Sequence, residues 1–254
     1  MAKLIFLGTS NAISDENHEN THMVVMGTGR IVLIDCPNSP LLRFQHAHVD
    51  IMRLSDLIVT HFHPDHVSGV PQLLMDMWLM GRKQPLDVYG LSHTLDRIET
   101  LMGLYGWSAW PDFFPVVFHR LPEQAQTPVL DCEEFRILAS PVQHFIPTIG
   151  LRIEFAATKQ TLAYSCDTEP CEQVVKLAEG ADILVHESSG RLPGHSSAAQ
   201  AGQAARRAEV GKLYLIHYPT GQFATGDPLA EARQQFEGPV TLAEDYMVLD
   251  FPSK

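Results

Sequence analysis

Residues 56–66 read Asp56-Leu57-Ile58-Val59-Thr60-His61-Phe62-His63-Pro64-Asp65-His66: an apolar strand that runs straight into three imidazoles and a carboxylate. His61 and His63 are two apart, so from an extended chain they point the same way. Asp65 and His66 follow the turn at Pro64 and can face a second point nearby. Imidazole and carboxylate together suit Zn, Fe or Mn. A solvated polar turn accounts for a lone histidine, but not for an HxHxDH run at the end of an apolar strand.

Four donors do not fill the shells of two metals, so the remainder must come from further along the chain. His144 follows a predicted strand at 134–139, Asp167 follows one at 161–165, and His217 follows one beginning at Lys212. Strand C-termini are where α/β proteins place their chemistry. Asp35, after the apolar run Ile31–Ile34, is placed to orient a ligand from behind.

The surrounding pattern predicts further strands at 3–7, 22–26, 86–89, 150–155, 183–187 and 247–251. Helices are predicted at 68–80, at 92–104 with Ser92 as N-cap, at 197–208 and near 229–236. Each half is strand-rich first and mixed α/β later, which predicts two sheets packed face to face with helices outside. No linker is visible, so residues 1–254 are expected to form one domain. The aromatic stretch at 105–120, with Trp107, Trp110, Phe113 and Phe114, fits a core role, a substrate pocket or a dimer contact equally well.

Composition narrows the function. Eighteen Lys and Arg against thirty Asp and Glu give a net charge of −12 over 254 residues, which opposes long-range attraction to nucleic acid or anionic membranes. The four cysteines form no C-x2-C pair and read as free thiols of a reducing compartment. The N-terminus lacks the apolar stretch of a signal peptide, and no window is apolar enough to span a membrane. A cytoplasmic protein without a membrane partner is therefore expected.

With these residues in place, the sequence resembles the metallo-β-lactamase superfamily, and within it the ribonuclease Z branch. The matching stretches are FLGTS (6–10), THFHPDHVSGVPQLL (60–74), PVQHFIPTIGLRIE (141–154), AYSCDTEP (163–170), LVHES (184–188), GHSSAAQAG (194–202), LYLIHY (213–218) and LAEDYMV (242–248). HxHxDH marks the superfamily; HES and GHSSAAQA mark the branch. The resemblance implies an α/β (α+β) fold, a four-layer αββα sandwich with a dinuclear centre of divalent ions. Zn is the first choice, with Mn and Fe as alternatives. His61, His63 and His144 would hold one ion and Asp65, His66 and His217 the other. Asp167 would bridge them, with a hydroxide between as the nucleophile. Two divalent ions against two carboxylates and one hydroxide leave the site at about +1, suited to an anionic substrate. By the same resemblance Asp65 orients that hydroxide, His195 assists the leaving group, and Glu187 holds the tautomer of His195. A homodimer is implied by resemblance only. His186 is expected to be structural, and His18, His22, His46, His48, His93 and His119 to be non-ligands.

Three departures from ribonuclease Z matter. Only 22 residues separate His144 from Asp167, too few for the tRNA-gripping arm. The loop after Ser10 carries Asp15, Glu16 and Glu19 where basic residues normally meet tRNA. The Ser-x-Arg-Tyr motif after the last ligand is replaced by Tyr218-Pro219-Thr220-Gly221. The expected substrate is thus a small or nucleotide-like anionic phosphodiester, with long nucleic acid disfavoured. The alternatives are a tRNA 3′ endonuclease of ribonuclease Z type, an ester, thioester or lactone hydrolase on the same centre, and a non-catalytic ligand sensor. A di-iron oxidoreductase usually carries Glu in place of His63 and a flavin domain, and neither is present.

Overall fold

The computed structural model describes residues 2–252. The first half of the chain gives β1 (Ala2–Gly8), β2 (His22–Met26), β3 (Ile31–Ile34), α1 (Pro40–His46), β4 (Asp56–Ile58), α2 (Pro64–Val67), α3 (Val70–Leu79), β5 (Leu86–Leu91), α4 (Ser92–Leu104) and β6 (Val116–Leu121). The second half gives β7 (Thr127–Asp131), β8 (Phe135–Val142), β9 (Thr148–Phe155), β10 (Thr161–Tyr164), α5 (Glu172–Ala178), β11 (Ile183–Glu187), α6 (Ala198–Arg207), β12 (Lys212–Ile216), α7 (Pro228–Arg233), β13 (Val240–Leu242) and β14 (Val248–Phe251).

The strands form two seven-stranded sheets, ordered β14-β1-β2-β3-β4-β5-β6 and β13-β12-β11-β10-β9-β8-β7. Each begins as an antiparallel meander and turns parallel, at β3–β4 in the first and β10–β11 in the second. Strand alternation then sorts the side chains. Leu4, Phe6, Val32 and Ile34 point inward and share one core with Ile137, Leu151, Leu162, Val185 and Ile216 of the facing sheet. Ile5, Leu7, Ile31 and Leu33 point outward and are covered by Phe44 of α1, Leu73 and Met77 of α3, and Leu95 and Ile98 of α4. On the other outer face Leu184, Leu213 and Leu215 pack against Ala198, Ala201 and Ala205 of α6. Runs such as Ile31–Ile34 are apolar throughout because both faces are buried. The result is the four-layer αββα sandwich of the metallo-β-lactamase fold. Among the described residues no helix is long and apolar enough to cross a membrane.

Two helix expectations change. Ser92 is not an N-cap: Leu91 holds that position, extended, with no side-chain cap bond, and Ser92 begins α4. The span 68–80 is helical only over Val70–Leu79, preceded by the separate α2. The break lies at Gly69. A Cβ there would sit 1.8 Å from the Pro37 carbonyl oxygen, while the Gly69 amide donates to Cys36 O at 2.9 Å and the Cys36 amide donates to His66 O at 2.8 Å. The loop after β3 is thereby stitched to α2. Gly69→Ala is expected to cost about 1–3 kcal/mol by overpacking against backbone, read by chemical denaturation. The aromatic stretch takes the core role: Phe114 is buried, and Trp107, Trp110 and Phe113 pack on the outer cluster of the first sheet, with Trp110 stacked on Trp78.

Candidate metal centre

The site lies where strand C-termini of both sheets meet. Pro64 opens α2 and holds the preceding His63 extended, at φ −95° and ψ 151°. His61 and His63 therefore project from extended chain, whereas Asp65 and His66 project from helix. His144 follows β8, Asp167 follows β10 and His217 follows β12. Asp35, Cys166 and His217 all have left-handed backbone, with φ of 60°, 54° and 55°. Non-glycine residues at such angles cost of order 1–3 kcal/mol each and cluster at functional sites.

All ten residues proposed from sequence as ligand, catalytic or orienting groups converge. One group is His61, His63 and His144; a second is Asp65, His66, Asp167 and His217. Within each, the candidate donor atoms lie within 4.8 Å of one another. His63 Nδ1 is 3.1 Å from both His61 Nε2 and His144 Nε2. Asp167 Oδ2 faces both groups: it is 3.2 Å from His217 Nε2, 3.5 Å from His66 Nε2, 3.8 Å from His61 Nε2 and 4.0 Å from His144 Nε2. Asp65 Oδ2 lies 3.6 Å from His66 Nε2 and 3.9 Å from His217 Nε2.

Hydrogen bonds behind these rings assign their tautomers. The Thr60 hydroxyl donates to the Asp35 carboxylate at 2.8 Å and so accepts from His61 Nδ1–H at 3.0 Å. His144 Nδ1–H donates to the Gly194 carbonyl at 2.6 Å. In both rings Nε2 is then a lone pair aimed at His63. Three ring nitrogens thus meet at about the spacing that tetrahedral Zn–N bonds impose, about 3.3 Å between ligand nitrogens. In the second group, His66 Nδ1–H donates to Asp35 at 2.8 Å, while His66 Nε2 and Asp167 Oδ1 are buried without hydrogen-bond partners. Orphaned buried polar atoms of this kind are expected where a metal completes the site. Both groups fit divalent ions.

Burial and neighbouring charge act differently on the two groups. Burial pushes His61 well below its ordinary value and lowers His63 and His144, keeping them neutral. Burial works against charge on His66, but the carboxylates of Asp167, Asp35 and Asp65 overcome it and hold His66 well above its ordinary value. Burial opposes charge on Asp167 too, yet the His217 and His66 rings keep it well below the usual carboxylate range.

His195 stands beside the cluster, its ring stacked on His217 with centroids 5.9 Å apart and edge-on to His144 at 5.0 Å. Its Nδ1 donates to Glu187 Oε1 at 3.0 Å. The Glu187 carboxylate is fully buried and also accepts the amides of Thr168 and Ser189 at 2.9 and 3.0 Å. Burial lowers the affinity of His195 for a proton, but the Glu187 bond outweighs it and raises its pKa. His186 is buried and donates to the Glu187 carbonyl, a structural contact. His18, His22, His46, His48, His93 and His119 fall in none of the donor groups found among the described residues.

Sequence reasoning did not single out Thr60, whose hydroxyl connects Asp35 to His61. Its position inside the THFHPDH run was the available signal. Residues 145–166 hold little beyond the hairpin of β9 and β10. The acidic loop lies beside the last candidate ligand: His217 N donates to Thr9 O at 2.8 Å and Asn11 N to Tyr218 O at 3.1 Å.

This fold, with a histidine–aspartate cluster between its sheets, defines a metal-dependent hydrolase of ribonuclease Z-like, metallo-β-lactamase type. The chain belongs to the family described as "Anti-Pycsar protein Apyc1", whose model matches residues 2–235. It is also similar to the ribonuclease Z of Mycobacterium avium, at 30% identity over 282 aligned positions that cover 100% of both chains. Human short-form tRNase Z superimposes with a TM-score of 0.78 at 26% identity, covering 98% of this chain and 99% of that one. YhfI from Bacillus subtilis superimposes with a TM-score of 0.81 over 98% of each chain; at 21% identity that likeness speaks for the fold alone.

Proposed function

We propose that the chain hydrolyses a small or nucleotide-like phosphodiester. His61, His63 and His144 would hold one divalent ion and Asp65, His66 and His217 another, with Asp167 facing both groups. Zn is the first choice. When bound, the ions supply a water acidified to near-neutral pKa and positive charge against the attacked phosphate. Asp65 orients that water and accepts its proton. His195 donates a proton to the departing oxygen, and Glu187 holds its Nδ1–H and favours the charged ring.

The observation that carries this reading is the Glu187–His195 pair at 3.0 Å beside the donor cluster. A protonated imidazole there suits an alkoxide leaving group, and a ribonuclease cleaves the same kind of bond. The short β9–β10 hairpin and the acidic loop beside His217 favour a small substrate over tRNA. The core shared by both sheets supports a single domain, residues 1–254, and free cysteines support a cytoplasmic location. The ribonuclease Z relatives keep a tRNA 3′ endonuclease as the second reading.

The test is turnover of bis(p-nitrophenyl) phosphate and of precursor tRNA by metal-loaded and chelator-stripped protein. Metal-dependent hydrolysis of the small diester with intact precursor tRNA is expected. Cleavage of the precursor at its 3′ side would replace the reading with the endonuclease. No turnover with ions bound would shift it to carbonyl esters, thioesters or lactones, or to a ligand sensor.

His195→Ala is expected to lower kcat on diesters of poor leaving groups by about 10²–10⁴-fold, while activated p-nitrophenyl diesters lose far less. An equal loss on both series removes His195 from the leaving-group role.

A further inference from the structure

Glu169 stands two residues after Asp167 and is assigned no role by the reading above, yet its carboxylate sits at a junction of the site. Oε1 accepts the Gly194 amide at 2.8 Å, and Oε2 accepts the Gln143 side-chain amide at 3.0 Å. The Glu169 amide in turn donates to the Gln143 carbonyl at 2.7 Å, tying this carboxylate to the end of β8.

Gly194 is the hinge of the contact. Its φ is +77°, and a Cβ there would fall 2.5 Å from the Phe145 ring, so a side chain would be strained and would have to displace that ring. The Gly194 carbonyl accepts His144 Nδ1–H at 2.6 Å, and the next residue is His195. One peptide therefore faces two tasks. Its oxygen fixes the ring angle of a proposed ligand, and its chain direction sets where the proposed acid stands. His195 N bonds within its own loop, to Leu192 O at 3.1 Å. Glu169 Oε1 is the contact that ties the Gly194 amide to the β10 side of the site.

We propose that Glu169 is a positioning residue: by gripping the Gly194 amide it sets His144 and His195 together, coupling the occupancy of one metal position to the aim of the leaving-group acid. The consequence for catalysis rests on the proposed diester hydrolysis; the positioning itself does not.

The test compares wild type with Glu169→Ala and Glu169→Gln in the full chain. The glutamine variant keeps an acceptor oxygen for Gly194. Hydrogen exchange at the Gly194 amide, the chelator concentration that removes half the bound Zn, and the dependence of kcat on leaving-group basicity are measured for each. In Glu169→Ala, exchange at Gly194 is expected to rise at least tenfold with the sheet amides unchanged. Zn retention is expected to fall about 10–100-fold, as for other partners that orient a ligand. The kcat loss is expected to be largest on poor leaving groups. Glu169→Gln is expected to restore most of each. Unchanged Gly194 exchange and Zn retention in Glu169→Ala overturn the proposal. So does a general rise in exchange that glutamine does not rescue, because that is a fold effect. If the alanine variant does not fold, Glu169→Met, which keeps the length without an acceptor, is judged by the same readings. If no diester is turned over even by wild type, the proposed function fails, while the exchange and Zn measurements still decide the role of Glu169.

Discussion

Asp65→Ala is expected to abolish turnover while leaving the fold intact. Asp65 is a partly buried carboxylate in the first turn of α2, with Oδ2 3.6 Å from His66 Nε2 and 3.9 Å from His217 Nε2. No hydrophobic core residue depends on it. Its structural contribution is the favourable interaction of an acid with a helix N-terminus, typically 0.3–1 kcal/mol at exposed sites, on a helix of one turn. A shift in Tm of a few degrees is the most this predicts. At the proposed centre the same carboxylate supplies a ligand and orients the attacking water. Losing both removes several kcal/mol of transition-state stabilisation, a fall in kcat on the order of 10³-fold or more. Steady-state kinetics with a chromogenic diester, alongside circular dichroism and thermal melting, checks both halves. Retention of a tenth of the activity would remove Asp65 from the chemistry; a collapse in Tm would make it structural.

The frame of the molecule was legible because its strands are short apolar runs and its donors follow them. His144, Asp167 and His217 each lie just past the end of a strand; β10 and β12 run parallel to β11 between them, and β8 runs the same way through antiparallel β9, so three distant residues converge. What could not be read were features without periodicity. Helices α1 and α5 have seven residues each and β13 has three, too few to show a repeat. The left-handed backbone at Cys166 and His217 carries no glycine to announce it. The links from Thr60 to His61 and from Glu169 through Gly194 to His144 join residues by orientation rather than by spacing. That His61 and His144 both turn Nε2 toward His63 follows only from the partner that each ring's Nδ1 takes behind it.

Asp35 supports both halves of the site, and its loss is expected to be felt in stability and metal content at once. The carboxylate is fully buried and accepts four contacts: the Thr60 amide at 2.8 Å, the Thr60 hydroxyl at 3.0 and 2.8 Å, and His66 Nδ1–H at 2.8 Å. In Asp35→Asn one of the two oxygens becomes an NH2 group, which accepts nothing. Whichever way the amide turns, it faces a donor. Against Thr60 it faces the backbone amide, which loses its acceptor, while the hydroxyl keeps only the remaining oxygen. Against His66 it meets the Nδ1–H with another donor, and the ring loses the acceptor that orients it beside Asp65 and Asp167. Leaving one buried donor unpaired costs about 1–3 kcal/mol, and removing a charge that faces a buried imidazole adds to it, so a loss of about 2–4 kcal/mol is expected. Chemical denaturation of metal-free protein measures this without any contribution from bound ions. Metal counting on the variant that remains folded should then show fewer ions than wild type, with the His66 position emptied first. A variant with wild-type stability and full metal content would mean that Asp35 merely fills the turn after β3, and that His66 takes its orientation from packing alone.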